Sequence, residues 1–231
     1  MFADAHLHMT NPEFGEGYEG IGDAVILFSN AVLPKEFGRL HALAERDQRV
    51  VPFYGTHPWY LESYNADDLI RELDSDPKAN VGEIGLDARY GSLEPQLPIF
   101  REQLKIAEDY DRTVSLHMVS TEEYILRELR GVKVNAILHS FNGPAGYVNA
   151  FEKCGCYFSV SPRIFRRPQE KVMDILTKIP VDRLLIETDA PTDLLNDMNV
   201  YALAENIGRA IGMSREKVLD VTLENARRLI G

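Results

Sequence analysis

The chain has 231 residues, 45 % hydrophobic and 26 % charged, a composition that suits a folded globular protein and excludes disordered and fibrous classes. Its 25 Lys and Arg against 36 Asp and Glu leave a formal net charge of −11, so no global positive field gathers nucleic acid or anionic lipid. Any phosphate chemistry must therefore bring its own local cations.

Eight short apolar runs, many rich in β-branched residues, read as strands in chain order: Phe2–Leu7, Ala24–Phe28, Val50–Tyr54, Asn80–Leu86, Thr113–Leu116, Asn135–Leu138, Tyr157–Val160 and Leu184–Ile186. The first begins in MFADAHLHM, which has no basic segment followed by a sustained apolar stretch. The second is the longest clear apolar run and is far too short to span a bilayer, so a cytoplasmic protein without a membrane partner is expected. Between these two lies HMTNPEFGEGYEGIGD, too rich in glycine and turn formers for a good helix. It holds Gly15, Gly17 and Gly20 in a literal G-x-G-x-x-G, but a strand follows instead of a helix, and Glu16 and Glu19 would repel a pyrophosphate. A flexible loop is the better reading.

Later intervals carry helical periodicity. Leu97, Phe100, Leu104 and Ala107 trace one helix face, and Leu219, Leu223, Ala226 and Ile230 another. Parallel strands need helical crossovers, so the alternation points to a parallel sheet. Eight units of roughly 29 residues suit a single-domain (β/α)8 TIM-like barrel over residues 1–231, with a doubly wound open sheet as the alternative. Cys154 and Cys156 lack the second pair of a structural zinc site and read as small core residues in a reducing compartment.

Five of the six histidines, His6, His8, His57, His117 and His139, fall at or just after the C-terminal end of a predicted strand, and only His41 sits in helical sequence. In a parallel barrel those ends converge on one mouth. Strand alternation puts His6 and His8 on one face, the geometry for gripping a cation, although a lone H-x-H is as often a chance pair. Glu83 lies inside the apolar Val81-Gly82-Glu83-Ile84-Gly85, and Asp189 closes Leu184–Asp189. Buried charge is costly unless paired or metal-bound. Taken singly, Glu83 suits a structural ion pair with a basic residue and Asp189 an N-cap for the following turn at Pro191. Together with His6, His8, His117 and His139 they form an N/O ligand set for one or two divalent ions.

These residues lie in segments that resemble the TatD-type metal-dependent hydrolases of the amidohydrolase-like superfamily. The resemblance runs nearly end to end, through DAHLHM, GTHPW, VGEIGLD, the Leu116-His117 pair, LHSFNG, ETDAP and VTLENARRLIG. It implies a TIM-like barrel with a two-metal centre and, because the family includes deoxyribonucleases, hydrolysis of phosphodiesters in DNA. Carried over residue by residue, it implies that His6, His8 and Asp189 hold one metal, that Glu83 bridges, and that His117 and His139 hold the second. Two cations about 3.5–4 Å apart activate a water as nucleophile and polarise a phosphoryl oxygen. Asp189 is then the candidate general base, with Glu83 as the second catalytic carboxylate.

The donor set suits Zn, Mn, Ni or Co, and Mg less well. His57 resembles the family's substrate-side histidine, a cation-capable donor for a phosphate oxygen. Arg163, Arg166 and Arg167 follow the seventh strand and offer phosphate contacts, with a solvated basic helix start as the alternative. Two positions depart from the family pattern: Val119 stands where many members have arginine, and Asp87-Ala88-Arg89-Tyr90 where an Asp-Tyr pair is common. The expected substrate is DNA, at ends or in short single strands, with a small amide, lactone or phosphoester as the alternative and a non-catalytic metal-binding protein as the third reading. No apolar surface patch is legible, which favours a monomer.

Overall fold

All eight apolar runs become strands, buried on both faces as parallel strands covered by helices must be. In the computed structural model, which describes residues 1–14, 22–191 and 199–230, they are β1 (Phe2–Leu7), β2 (Ala24–Asn30), β3 (Val50–Tyr54), β4 (Asn80–Asp87), β5 (Val114–Val119), β6 (Ala136–Leu138), β7 (Cys156–Val160) and β8 (Leu184–Ile186). They form one parallel sheet in sequential order, curved into a nearly closed (β/α)8 barrel. β1, β3 and β8 keep the bounds read from the sequence, and the other five strands differ from them by one to three residues at one or both ends. The difference matters in β5, which continues to Val119 and so carries His117 within the strand.

Eight α-helices are present among the described residues: α1 (Phe37–Arg46), α2 (Ala66–Ser75), α3 (Leu93–Asp109), α4 (Glu122–Leu129), α5 (Val148–Glu152), α6 (Gln169–Leu176), α7 (Val200–Ile211) and α8 (Arg215–Ile230). None is long and apolar enough to cross a membrane. After β1 the described residues hold only a 3-10 turn at Pro12–Phe14, in keeping with the loop expected there. The Gly15, Gly17 and Gly20 motif lies outside the described residues. In α3, Phe100, Leu104 and Ala107 are buried and Leu97 packs beside them. In α8 the expected face holds at Leu219, Leu223 and Ala226 but not at Ile230, which is 39 % exposed. Leu229 is buried instead, because the last turn faces the strand starts and its carbonyl accepts a bond from Thr113 Oγ1 at 3.0 Å.

That contact belongs to the closed end of the barrel. Asn225 Nδ2 on α8 donates to the carbonyls of Val181 (2.9 Å) and Leu184 (2.8 Å), where β8 begins. Leu223, Ala226 and Leu229 join a cluster with Phe28, Phe53, Ile137, Tyr157 and Leu185 from the strands. Alternation then turns that inward face polar two residues further on, from Ile137 to His139 and from Leu185 to Glu187. The opposite end is a mouth. The seam between first and last strands is closed there by residues just past β8: Asp189 N donates to the His6 carbonyl (3.0 Å), and His8 N donates to the Ala190 carbonyl (2.8 Å). Both cysteines are free, Cys156 buried in β7 and Cys154 half-buried.

Candidate metal centre

The fold brings all six residues of the expected ligand set, and His57 with them, to this mouth. His6, Glu83 and His117 lie on β1, β4 and β5, while His8, His57, His139 and Asp189 lie a few residues beyond β1, β3, β6 and β8. Glu83 is the hub, and its two oxygens face different imidazoles. Oε2 lies 3.5 Å from His6 Nε2 and 3.6 Å from His8 Nε2. Oε1 lies 2.9 Å from His117 Nδ1, 3.4 Å from His139 Nε2 and 3.6 Å from His57 Nε2. Asp189 Oδ1 stands 3.6 Å from His8 Nε2. Close approach of β4 to β5 makes this possible: Gly85, with φ of +151°, sits where a Cβ would collide with the His117 carbonyl. His41 is apart on α1, facing Glu45 and Glu72.

Outer contacts aim the rings. His8 Nδ1 donates to the Asn30 carbonyl (3.0 Å) and His139 Nδ1 to the buried Glu187 carboxylate (3.0 Å); both partners only accept, so each ring turns its Nε2 to the centre. His6 Nδ1 lies 3.0 Å from Ser115 Oγ, and His117 Nε2 lies 3.1 Å from Asp87 Oδ2. His57 differs: its Nδ1 accepts from the Trp59 backbone N–H (3.2 Å), which makes Nε2 the protonated nitrogen of the neutral ring.

Burial by itself would raise the Glu83 carboxyl, but the surrounding imidazoles outweigh it and hold the group well below its usual range. Burial likewise opposes the charge on His139, yet the Glu187 and Glu83 carboxylates push its pKa up to about 10. For Asp189 the burial penalty is overcome by His8 and the neighbouring histidines, leaving it at about 2. Burial pushes His57 down to about 3, so it is a neutral donor at physiological pH. Asp4, buried beneath the cluster, rises to about 7 through desolvation although Thr188 bonds oppose this.

The donor chemistry fits divalent cations. His6 Nε2 and His8 Nε2 stand 3.3 Å apart beside the Glu83 carboxylate, and most other centre-facing separations are 3.4–3.6 Å, long for hydrogen bonds. Three groupings bring ligand-type atoms within 4.8 Å of one another: His6, His8 and Asp189; His6, Glu83 and His139; His57, Glu83 and His117. Imidazole nitrogens and carboxylate oxygens at one buried point are the ligands of mid-row divalent ions.

A cavity of about 200 Å³ opens onto the cluster, with Trp59, Tyr60 and Arg163 among its other walls. Arg163 Nη2 donates to Asp189 Oδ2 at 2.8 Å, so this arginine stands at the site through a carboxylate. An adjoining cavity of about 180 Å³ shares His117, His139 and Arg163 and adds Val119, Arg89 and Arg167. Arg166, exposed at the end of a 3-10 turn, lines neither.

The sequence reading missed the supporting groups. Glu187 carries the same signal as Glu83, a carboxylate in an apolar strand run, and stands two residues from Asp189. Gln96 and Gln103, two turns apart on α3, are buried, and each amide pairs with both backbone groups of a strand-end residue. Gln103 holds Thr56 (2.7 and 3.1 Å), next to His57, and Gln96 holds Asp87 (2.7 and 3.0 Å). Glutamines on a helix gave no such warning.

A parallel eight-stranded barrel whose mouth gathers imidazoles about a shared buried carboxylate defines a metal-dependent hydrolase of the TIM-barrel class. More narrowly, the chain belongs to the TatD family: the model of the TatD related DNase family matches residues 3–231. It is 31 % identical over 214 residues to YjjV of Escherichia coli K12, described as an uncharacterized metal-dependent hydrolase, covering 84 % of this chain and 81 % of that one. Similarity to the human protein named deoxyribonuclease TATDN3 is 26 % over 261 residues, covering 98 % and 93 %. The crystal structure of YjjV superposes with a TM-score of 0.88 at 27 % identity, covering 99 % of this chain and 97 % of that one.

Proposed function

We propose that the protein hydrolyses phosphodiester bonds in DNA, at ends or in short single strands, using two divalent cations. The carrying observation is the division of imidazoles about Glu83, with His6 and His8 on Oε2 and His117 and His139 on Oε1. On this reading His6, His8 and Asp189 hold one ion, His117 and His139 the other, and Glu83 lies between them. Such a pair of ions, when bound, polarises a phosphoryl oxygen, ionises water near neutral pH and stabilises the leaving oxygen.

The chain's own residues supply the rest. Asp189, ionised at neutral pH, is the general base: Arg163 fixes its Oδ2, and Oδ1 is turned to the cluster to accept the proton. His57 presents a neutral Nε2–H as a donor to a non-bridging phosphate oxygen. Asn30 and Glu187 hold the His8 and His139 rings in register. The family match and the deoxyribonuclease name of the human relative support a nucleic-acid substrate. A small phosphoester, amide or lactone is the second reading, favoured by Val119 and by the net charge of −11.

The test is digestion of end-labelled single- and double-stranded DNA with Mn²⁺, Zn²⁺, Ni²⁺, Co²⁺ or Mg²⁺, with Asp189→Asn and EDTA beside wild type. Cleavage that needs both metal and Asp189 is expected. Intact DNA alongside turnover of small phosphoesters or lactones moves the assignment to the second reading, and full activity of Asp189→Asn removes the base role.

A further inference from the structure

The rim of the mouth carries a stacked aromatic pair. Trp59, the chain's single tryptophan, is 42 % exposed and Tyr90 59 %; their rings lie 5.5 Å apart between centroids, with planes 22° from parallel. Single exposed rings are common on protein surfaces. These two are held by directed bonds. Asp87 Oδ2 accepts from Trp59 Nε1 (2.9 Å), Asp87 Oδ1 accepts from the backbone N–H of Arg89 (2.8 Å) and Tyr90 (3.1 Å), and Tyr90 Oη donates to the Trp59 carbonyl (3.2 Å). The same Asp87 Oδ2 meets His117 Nε2, so the pair is fastened to the centre itself.

Trp59 walls the cavity above Glu83, and the adjoining cavity brings Arg89, Arg163 and Arg167 together with one carboxylate, Glu122. In a chain of net charge −11 this is a local concentration of guanidinium, suited to an anion. Aromatic faces at the rim and guanidinium groups in the adjoining cavity ask for a ligand that is both planar and anionic. An aliphatic ester offers no π-face, and inorganic phosphate no ring.

We propose that the Trp59–Tyr90 pair is a stacking platform for a nucleobase next to the reacting phosphate, the neighbouring phosphate lying toward the arginine-lined cavity. This rests on the phosphodiester reading above. Stacking accepts any base, so the platform confers affinity for single-stranded ends without sequence preference. Asp87 is a positioning residue that sets the platform's distance from the centre.

Because Trp59 is the only tryptophan, its fluorescence reports the platform alone. The full chain is titrated in EDTA, and again with Mn²⁺ added to Asp189→Asn, using a short single-stranded thymidine oligomer and an abasic oligomer of equal length and charge. Saturable quenching by the thymidine oligomer is expected, with the abasic strand at least tenfold weaker and Tyr90→Ala weakening the thymidine oligomer by about tenfold. Tyr90→Phe, which keeps the ring, retains the wild-type affinity. Equal affinities for the two oligomers, an unaltered Tyr90→Ala, or no saturable quenching in either condition overturns the platform. Wild-type cleavage run in parallel separates the two proposals. Cleavage with base-independent binding overturns the platform alone, whereas base-dependent quenching without cleavage supports the platform and overturns the phosphodiester reading.

Discussion

Arg163 holds Asp189 by one oxygen, its Nη2 donating to Oδ2 at 2.8 Å while Oδ1 faces His8 Nε2 at 3.6 Å. Asp189 also sits at φ of +54°, a left-handed conformation that Asp and Asn tolerate better than other side chains. Backbone and guanidinium together thus fix which carboxylate oxygen meets the cluster. Arg163→Gln, which gives up the charged fork, is expected to lower kcat by about 10–100-fold, the scale of an ångström-sized misplacement of a catalytic group. Steady-state kinetics beside metal analysis checks this, since metal content should stay close to wild type. An unchanged kcat removes the positioning role.

Glu187 is expected to act on metal affinity. Its Oε1 accepts from both His139 Nδ1 and the Ser140 N–H, the latter at 2.8 Å, in a fully buried position. Glu187→Gln keeps the shape and loses the charge that makes the His139 ring a strong ligand, so affinity for divalent metal should fall about tenfold. Equilibrium dialysis with metal analysis measures it. Wild-type affinity in the variant shows that the ring is held by packing alone.

Much of this site was legible because its signals run against local expectation. Glu83 in an apolar strand and five histidines at strand ends are costly placements, and cost points to function. Strand existence was equally legible from β-branched runs, whereas strand ends were not: β5 runs on to Val119 because its partner β4 continues to Asp87 and supplies the ladder. Residues such as Ser115, Gln96 and Gln103 stayed hidden, since a polar side chain satisfied by a distant partner looks like any surface residue until the fold brings the two together. Trp59 was hidden differently. The sequence reading weighed it only as part of GTHPW, and exposure cannot be read from a single aromatic residue.

Bound ions should stabilise the folded chain measurably, because the cluster exists only when β1, β4, β5 and the segments after β6 and β8 are assembled. A ligand at 100 times its Kd adds about 2.7 kcal/mol. For a chain of this length that corresponds to a rise in Tm of roughly 5–10 °C. Thermal unfolding with and without Mn²⁺ or Zn²⁺ is the measurement, with EDTA reversing the shift and Glu83→Ala abolishing most of it. Equal Tm values in wild type with and without metal count against a metal centre built from these residues.

Gln103 gives a prediction that separates support of the site from its chemistry. Its amide accepts from the Thr56 N–H at 2.7 Å and donates to the Thr56 carbonyl at 3.1 Å, with both residues buried, so α3 does for this strand end what another strand would do in a ladder. Gln103→Leu fills the same space and leaves both backbone groups unpaired away from water. At about 1–3 kcal/mol for each orphaned group, the loss should be roughly 2–6 kcal/mol, read as a shift in the urea midpoint without a change in slope. Gln103→Glu retains an acceptor for the N–H and sets a carboxylate against the carbonyl. It should therefore be destabilised at neutral pH and recover toward wild type as acid protonates the new carboxyl, because the protonated group donates where the amide did. A Gln103→Glu variant whose stability does not rise on acidification relative to wild type would show that the Thr56 carbonyl finds its partner elsewhere, and that His57 is held in place by something other than α3.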